Sequence, residues 1–86
     1  MPVISRFYGI SIMMFFKDHH PPHFHAKYEG NIAVFTIKGC RLLVGDLHMH
    51  AKRLIREWAG LHEQELMSNW QRAQKDGGLK WIEPLL

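Results

Sequence analysis

The pattern of hydrophobic and polar positions changes period near the middle of the chain. From Ile10 to Lys17 the alternation is weak, with Ile10, Ile12, Met14 and Phe16 on one face and Ser11, Met13, Phe15 and Lys17 on the other. Both faces are largely apolar, which predicts a central strand. Lys17 to Pro22 reads as a stiff loop, because consecutive prolines remove backbone donors and bias the residues before them toward extended conformations. His23 to Tyr28 alternates cleanly, placing Phe24, Ala26 and Tyr28 on one side and His23, His25 and Lys27 on the other, as a half-exposed strand does. Glu29, Gly30 and Asn31 tolerate positive φ and Ile32 to Ile37 is β-branched and aromatic, so a hairpin is predicted. Lys38, Gly39 and Cys40 repeat the device before a strand over Arg41 to Gly45.

From Leu47 onward the period approaches that of a helix, with Asp46 as N-cap and Ala51, Leu54, Ile55, Trp58 and Leu61 forming one stripe. Extended without a break, that stripe puts His62, Glu65 and Asn69 near its centre and leaves Leu66, Trp70 and Ala73 toward an edge. A bend near Gly60, a residue that costs about 1 kcal/mol relative to Ala in a helix, would let a second helix choose a new apolar face. The alternative is an unbroken helix whose polar residues reach past the sheet to a polar cluster. Lys75 to Gly78 end the helical region, and Leu79 to Leu86 returns as a short extended tail anchored by Trp81 and Ile82. The expected fold is therefore α+β: an antiparallel meander of about four strands, then one long or two consecutive helices packed on the sheet. A chain of 86 residues supports one core, so a single domain over 1–86 is expected.

Composition narrows the setting. Apolar residues at 47% and charged residues at 22% match ordinary globular usage, which excludes a disordered chain. The lone cysteine, Cys40, excludes an intramolecular disulfide framework and points to a reducing cytoplasm. The apolar run Ile10 to Phe16 is too short for a membrane span and lacks a cleavage site for a secretory signal. A formal charge of +3 and a pI near 9.3 permit nucleic acid or an acidic protein as partner without selecting either. No helix-turn-helix, zinc-finger or RNA-recognition signature is present. Lys52, Arg53 and Arg56 read as a solvated helix face, and nothing in the sequence excludes a homo-oligomer.

The densest chemical feature is Asp18-His19-His20-Pro21-Pro22-His23-Phe24-His25. His23 and His25 lie two apart on a strand and so share a face, and residues from the rigid proline corner could converge on them. Three readings stand side by side. His23, His25 and His19, with Asp18, could coordinate zinc or another divalent ion through neutral nitrogens, although the spacing matches none of the closed zinc patterns. The same imidazoles could perform metal-independent acid and base chemistry on a phosphodiester such as RNA, with Arg6, Lys27 or Arg41 as the cation; that reading needs no cofactor. Or they could decorate a solvent face. His62 with Glu65, and Glu65 with Asn69, share one helix face and could orient one another, whereas His48 and His50 read as exposed decoration.

Three separated segments, M-P-V-I-S-R-F-Y-G-I, D-H-H-P-P-H-F-H-A-K-Y and R-L-I-R-E-W-A-G-L-H-E-Q-E-L-M-S-N-W, with Ile82, Glu83, Pro84 and Leu85 at the end, resemble the small bacterial domain-of-unknown-function family DUF4160. Matched to the family pattern are Arg6, Asp18, His19, Pro21, Pro22, His23, His25, Trp58, His62, Glu65, Asn69 and Trp70; His20, His48 and His50 are less typical. The resemblance implies a cognate small protein partner, because such proteins accompany a second domain-of-unknown-function family, DUF2442, in pairs similar to toxin–antitoxin modules. The expectation is a toxin-like member acting through Asp18, His19, His23 and His25, with Arg6, His62 and Glu65 in support. A non-enzymatic antitoxin or regulator, binding protein or nucleic acid, and a metal-dependent enzyme are the competing expectations.

Overall fold

Tight turns set the topology. In a computed structural model of the chain, which describes residues 2–86, Tyr8 and Gly9 take φ of 50° and 79°, and Glu29 and Gly30 take 49° and 82°. Two successive positive-φ residues make the hairpin turn whose twist matches that of the strands it joins. The elements in order are β1 (Val3–Phe7), β2 (Ile10–Met13), β3 (His23–Tyr28), β4 (Asn31–Thr36), β5 (Leu42–Gly45), α1 (Met49–Leu61) and α2 (Glu63–Gln74). The strands form one sheet in the order β1-β2-β3-β4-β5, every neighbour antiparallel. The expected meander is present with an additional strand at its start. The expected Ile10 to Lys17 strand is shorter, ending at Met13, after which the chain turns into the proline loop.

Register puts one face of the sheet in the core. The row Ile12, Ala26, Ala33 is fully buried, as are Phe24 and Phe35, which pair directly across β3 and β4 and stack with ring centroids 5.7 Å apart. Trp58 of α1 meets Phe24 edge-on at 6.1 Å and Phe7 at 5.2 Å, so one indole joins α1 to the central strand and to the β1 edge. The alternation predicted for β3 is observed, with Phe24 and Ala26 inward.

The helical region is two helices, and the break falls at His62, two residues beyond Gly60. His62 has φ −123° and ψ 25°; its N–H donates to the carbonyls of Trp58 and Ala59, while its own carbonyl accepts from Leu66 N–H at 2.9 Å. It closes one helix and opens the next. The turn in direction frees α2 to bury Leu66, Asn69, Trp70 and Ala73, and it leaves Leu61, expected in the core stripe, 70% exposed. Asn69 is buried because it serves the tail: its Nδ2 donates to Lys80 O and its Oδ1 accepts from Lys80 N–H, each at 2.9 Å. Trp58 Nε1 donates to Glu83 O at 2.8 Å, a second tie to the same segment.

Three local expectations are corrected. Asp46 is not the N-cap of α1; its carboxylate accepts from Leu47 N–H and pairs with Lys52 Nζ, both at 2.9 Å, while His48 takes the cap and its Nδ1 accepts from His50 N–H at 3.1 Å. His48 is thus a structural residue rather than decoration. In the tail Ile82 is the anchor, 1% exposed and donating from N–H to Ile4 O at 2.8 Å, whereas Trp81 is 55% exposed because its side chain falls on the outer side of the strap. Among the described residues no helix is long and apolar enough to cross a membrane.

Candidate functional site

His23 and His25 stand on the face of β3 opposite Phe24 and Ala26, and the proline corner before the strand brings Asp18 back over them. The corner, which contains a cis His20–Pro21 peptide, is tied at both ends. Lys17 N–H donates to Ala73 O at 3.1 Å, Gln74 Nε2 donates to Asp18 O at 3.2 Å, and Ile37 N–H donates to Pro22 O at 3.1 Å. The loop is therefore hung between the end of α2 and the end of β4.

The result is a half-buried cluster. Asp18, His23 and His25 each offer a ligand atom, and those atoms lie within 4.8 Å of one another. His23 Nε2 is 2.9 Å from Asp18 Oδ2, with side chains only 11% and 26% exposed, and His23 Nδ1 is 2.7 Å from the carbonyl of Pro21. Aromatic rings wall the cluster: Trp70 lies 5.1 Å from the His23 ring and Phe15 meets His25 edge-on at 4.5 Å. The two imidazoles are 5.5 Å apart.

Electrostatics separate the members. Burial opposes ionisation of Asp18, but the hydrogen bonds from His19 N–H and His23, with the nearby imidazole charge, outweigh it and hold the carboxyl below its usual range. Burial, reinforced by His23, holds His25 below the usual imidazole value against the pull of Asp18, so this ring is neutral at neutral pH. Its Nδ1 is buried with no hydrogen-bond partner. A buried ring nitrogen without a partner costs about 1–3 kcal/mol, an expense that native structures seldom carry without a use.

Of the residues expected at the site, Asp18, His23 and His25 come together. His19 does not: its ring is exposed, and its contribution is the backbone N–H that donates to Asp18 Oδ1 at 2.9 Å. The residue next to Asp18 in sequence is turned outward by that bond, which removes it from the expected ligand set. Arg6 is exposed on β1 and is not part of the cluster, and Lys27 and Arg41 are likewise exposed. His62 and Glu65 pair with each other, Nδ1 to Oε1 at 2.6 Å, against Trp58, and do not belong to the three-residue group. Sequence reasoning missed Trp70, Phe15 and Gln74 as walls and ties of the site. For Phe15 a signal existed: it shares the parity of Met13, which pairs directly with His25.

A five-stranded antiparallel meander followed by two helices, with an Asp–His–His cluster at the start of its central strand, defines a small α+β domain with a built polar site. The chain belongs to the domain-of-unknown-function family DUF4160, whose family model matches residues 9–71. The match contains the whole cluster and most of α2, and it leaves β1 and the tail outside. No curated protein and no solved structure matches the chain.

Proposed function

We propose that the chain binds a divalent metal ion through Asp18, His23 and His25, and that this centre is the working edge of the toxin-like member of a bacterial two-protein module. One observation carries the metal reading. His23 faces an acceptor on each side, the Pro21 carbonyl at 2.7 Å and the Asp18 carboxylate at 2.9 Å. A neutral imidazole has one N–H. Donated to Pro21, it leaves the lone pair of Nε2 pointing at a carboxylate oxygen, an arrangement that a metal ion or a proton between them satisfies. The Nδ1–H to backbone carbonyl bond is the support that metal-ligating histidines commonly have.

Two imidazoles and a carboxylate suit zinc or a similar first-row ion, and three protein ligands leave a position open for water or substrate. Such an ion acidifies its bound water toward neutrality, which is the chemistry a hydrolytic toxin needs. The neutral state of His25 supports ligation, because only an unprotonated nitrogen binds metal. The family resemblance supports the two-protein setting, with a DUF2442 protein as cognate partner, and the imidazole and carboxylate chemistry suits RNA as a target class. A second reading uses the same pair: a proton in place of the ion makes His23 an imidazolium held by Asp18, an acid–base centre without metal.

Metal analysis of purified protein, with calorimetric titration of zinc into the stripped form, tests the proposal. One ion per chain is expected, lost in His23→Ala and His25→Ala with folding retained. Failure of zinc, manganese, cobalt and nickel to bind above the level of those variants would leave the proton reading in its place. For the biological role, expression should arrest growth, and the two variants and co-expression of the partner should each relieve it; a harmless wild-type protein would count against toxicity.

A further inference from the structure

The sheet has two outer strands, β1 and β5, and the molecule treats them differently. β1 is engaged by the tail through the Ile82 N–H to Ile4 O bond. β5 is exposed at every residue, and its Leu42, Leu43 and Val44 are 36%, 45% and 64% exposed next to Ile32 at 47%. Exposed edges are ordinarily blunted by shortness, a bulge, lysine, proline or inward charges, since a row of unpaired backbone groups is a template for another strand; β5 is four residues long and its register against β4 shifts between Val34 and Phe35, but no side chain blocks it. Leu42-Leu43-Val44-Gly45 carries no charge and no proline. Charges appear only at its ends, Arg41 before the strand and Asp46 after it, both exposed.

We infer that β5 pairs antiparallel with β5 of a second copy of the chain, joining two sheets into one across a twofold axis. Antiparallel apposition lays the start of one strand beside the end of the other. Arg41 then approaches the partner's Asp46, whose carboxylate already pairs with Lys52 of its own chain, at one end of the ladder, and symmetry repeats the arrangement at the other end; a parallel arrangement would set like charges together. Leu43 of each copy then faces Val44 of the other across the seam, and Leu42 faces Gly45. Because β1 is occupied by the tail, the pairing uses up the open edge and assembly stops at two.

The ladder is short, which puts the contact at the small end of interface sizes and makes it concentration-dependent. The pairing would also set both Asp18–His23–His25 clusters on one continuous face. Five strand spacings separate the two β3 strands, roughly 24 Å at ~4.8 Å each. The inference rests on β5 and not on the metal reading.

Sedimentation equilibrium of the full chain from micromolar to millimolar concentration is the test, with helical and strand content followed by circular dichroism. A monomer–dimer equilibrium is expected, weakened at least about tenfold by Val44→Lys, by Arg41→Asp or by Asp46→Arg, and restored when the two charge reversals are combined. Val44 is exposed enough that its replacement leaves the fold intact, and Arg41→Asp supplies an independent second variant. A chain monomeric throughout, a dimer indifferent to Val44→Lys and Arg41→Asp, or assembly continuing beyond two would each overturn the inference.

Discussion

At the scale of single residues, the environment of each titratable group decides its use. His23 is fixed between two acceptors and His25 Nδ1 has no partner, so side chains of one type two positions apart on one strand have different surroundings. Cys40 shows the same principle without a site. It sits in the β4–β5 turn at φ 46°, 7% exposed, and burial pushes its thiol from an ordinary 9.0 up to about 11, with Arg56 pulling weakly the other way. The thiol should resist alkylation at pH 8 in the native protein and react at the ordinary rate in denaturant. Because the folded value is raised, its contribution to stability is complete below about 9 and is lost as pH rises through about 11. Urea midpoints measured across that interval should fall in the wild type and fall less in Cys40→Ala; equal slopes would contradict this assignment. The convergence of Asp18 on the imidazoles was legible in the sequence as a dense cluster after a stiff corner. The turning out of His19 was not, because it depends on a single backbone hydrogen bond to Asp18.

At the scale of elements, the polar stripe of the helical region was the informative anomaly. Hydrophobic spacing alone put His62, Glu65 and Asn69 where apolar residues belong, and the break at His62 resolves the conflict by giving α2 its own buried face. The sequence could indicate that a break was needed and place it near Gly60. It could not show that Asn69 would stay buried, because the reason is the backbone of Lys80, eleven residues away in an irregular tail. Asn69→Leu should cost about 2–5 kcal/mol in denaturant unfolding, since it orphans both the N–H and the carbonyl of Lys80. Asn69→Asp retains the acceptor for Lys80 N–H but sets a buried carboxylate oxygen against Lys80 O, so it too should be destabilising at neutral pH; a loss under 1 kcal/mol in the leucine variant would show that the tail finds other partners. β2 is shortened by the turn into the proline loop, and β1 was missed for two reasons of its own. Tyr8-Gly9 is not among the commonest turn pairs, and the opening segment lacks clean alternation because Ser5, fully buried, interrupts it.

At the scale of the whole molecule, the tail is a structural member rather than an appendage. It meets Asn69, Ile4 and Trp58 in turn, so it links both helices to one edge of the sheet. Ile82→Ala should cost about 2–5 kcal/mol, the range for emptying a fully buried aliphatic site, read as a shift of the urea midpoint. It should also loosen the tail from β1. With that edge bared and β5 still open, the variant is expected to assemble beyond two copies, whereas the wild type stops at a pair. A destabilised variant that keeps the wild-type association behaviour would show that the tail does not guard the edge. The general α+β plan was legible because binary pattern and turn residues fix strand order in a meander. The tail's role was hidden because extended backbone with few apolar residues carries no periodic signal.

The metal centre is the claim on which the functional account turns. Crystals grown with zinc, with diffraction recorded on both sides of the zinc absorption edge, locate the ion directly. The account predicts one anomalous peak per chain about 2.0–2.2 Å from a ring nitrogen of His23, a ring nitrogen of His25 and a carboxylate oxygen of Asp18. A map with zinc elsewhere, or with His23 still bonded to Asp18 Oδ2 and no peak between them, would contradict it.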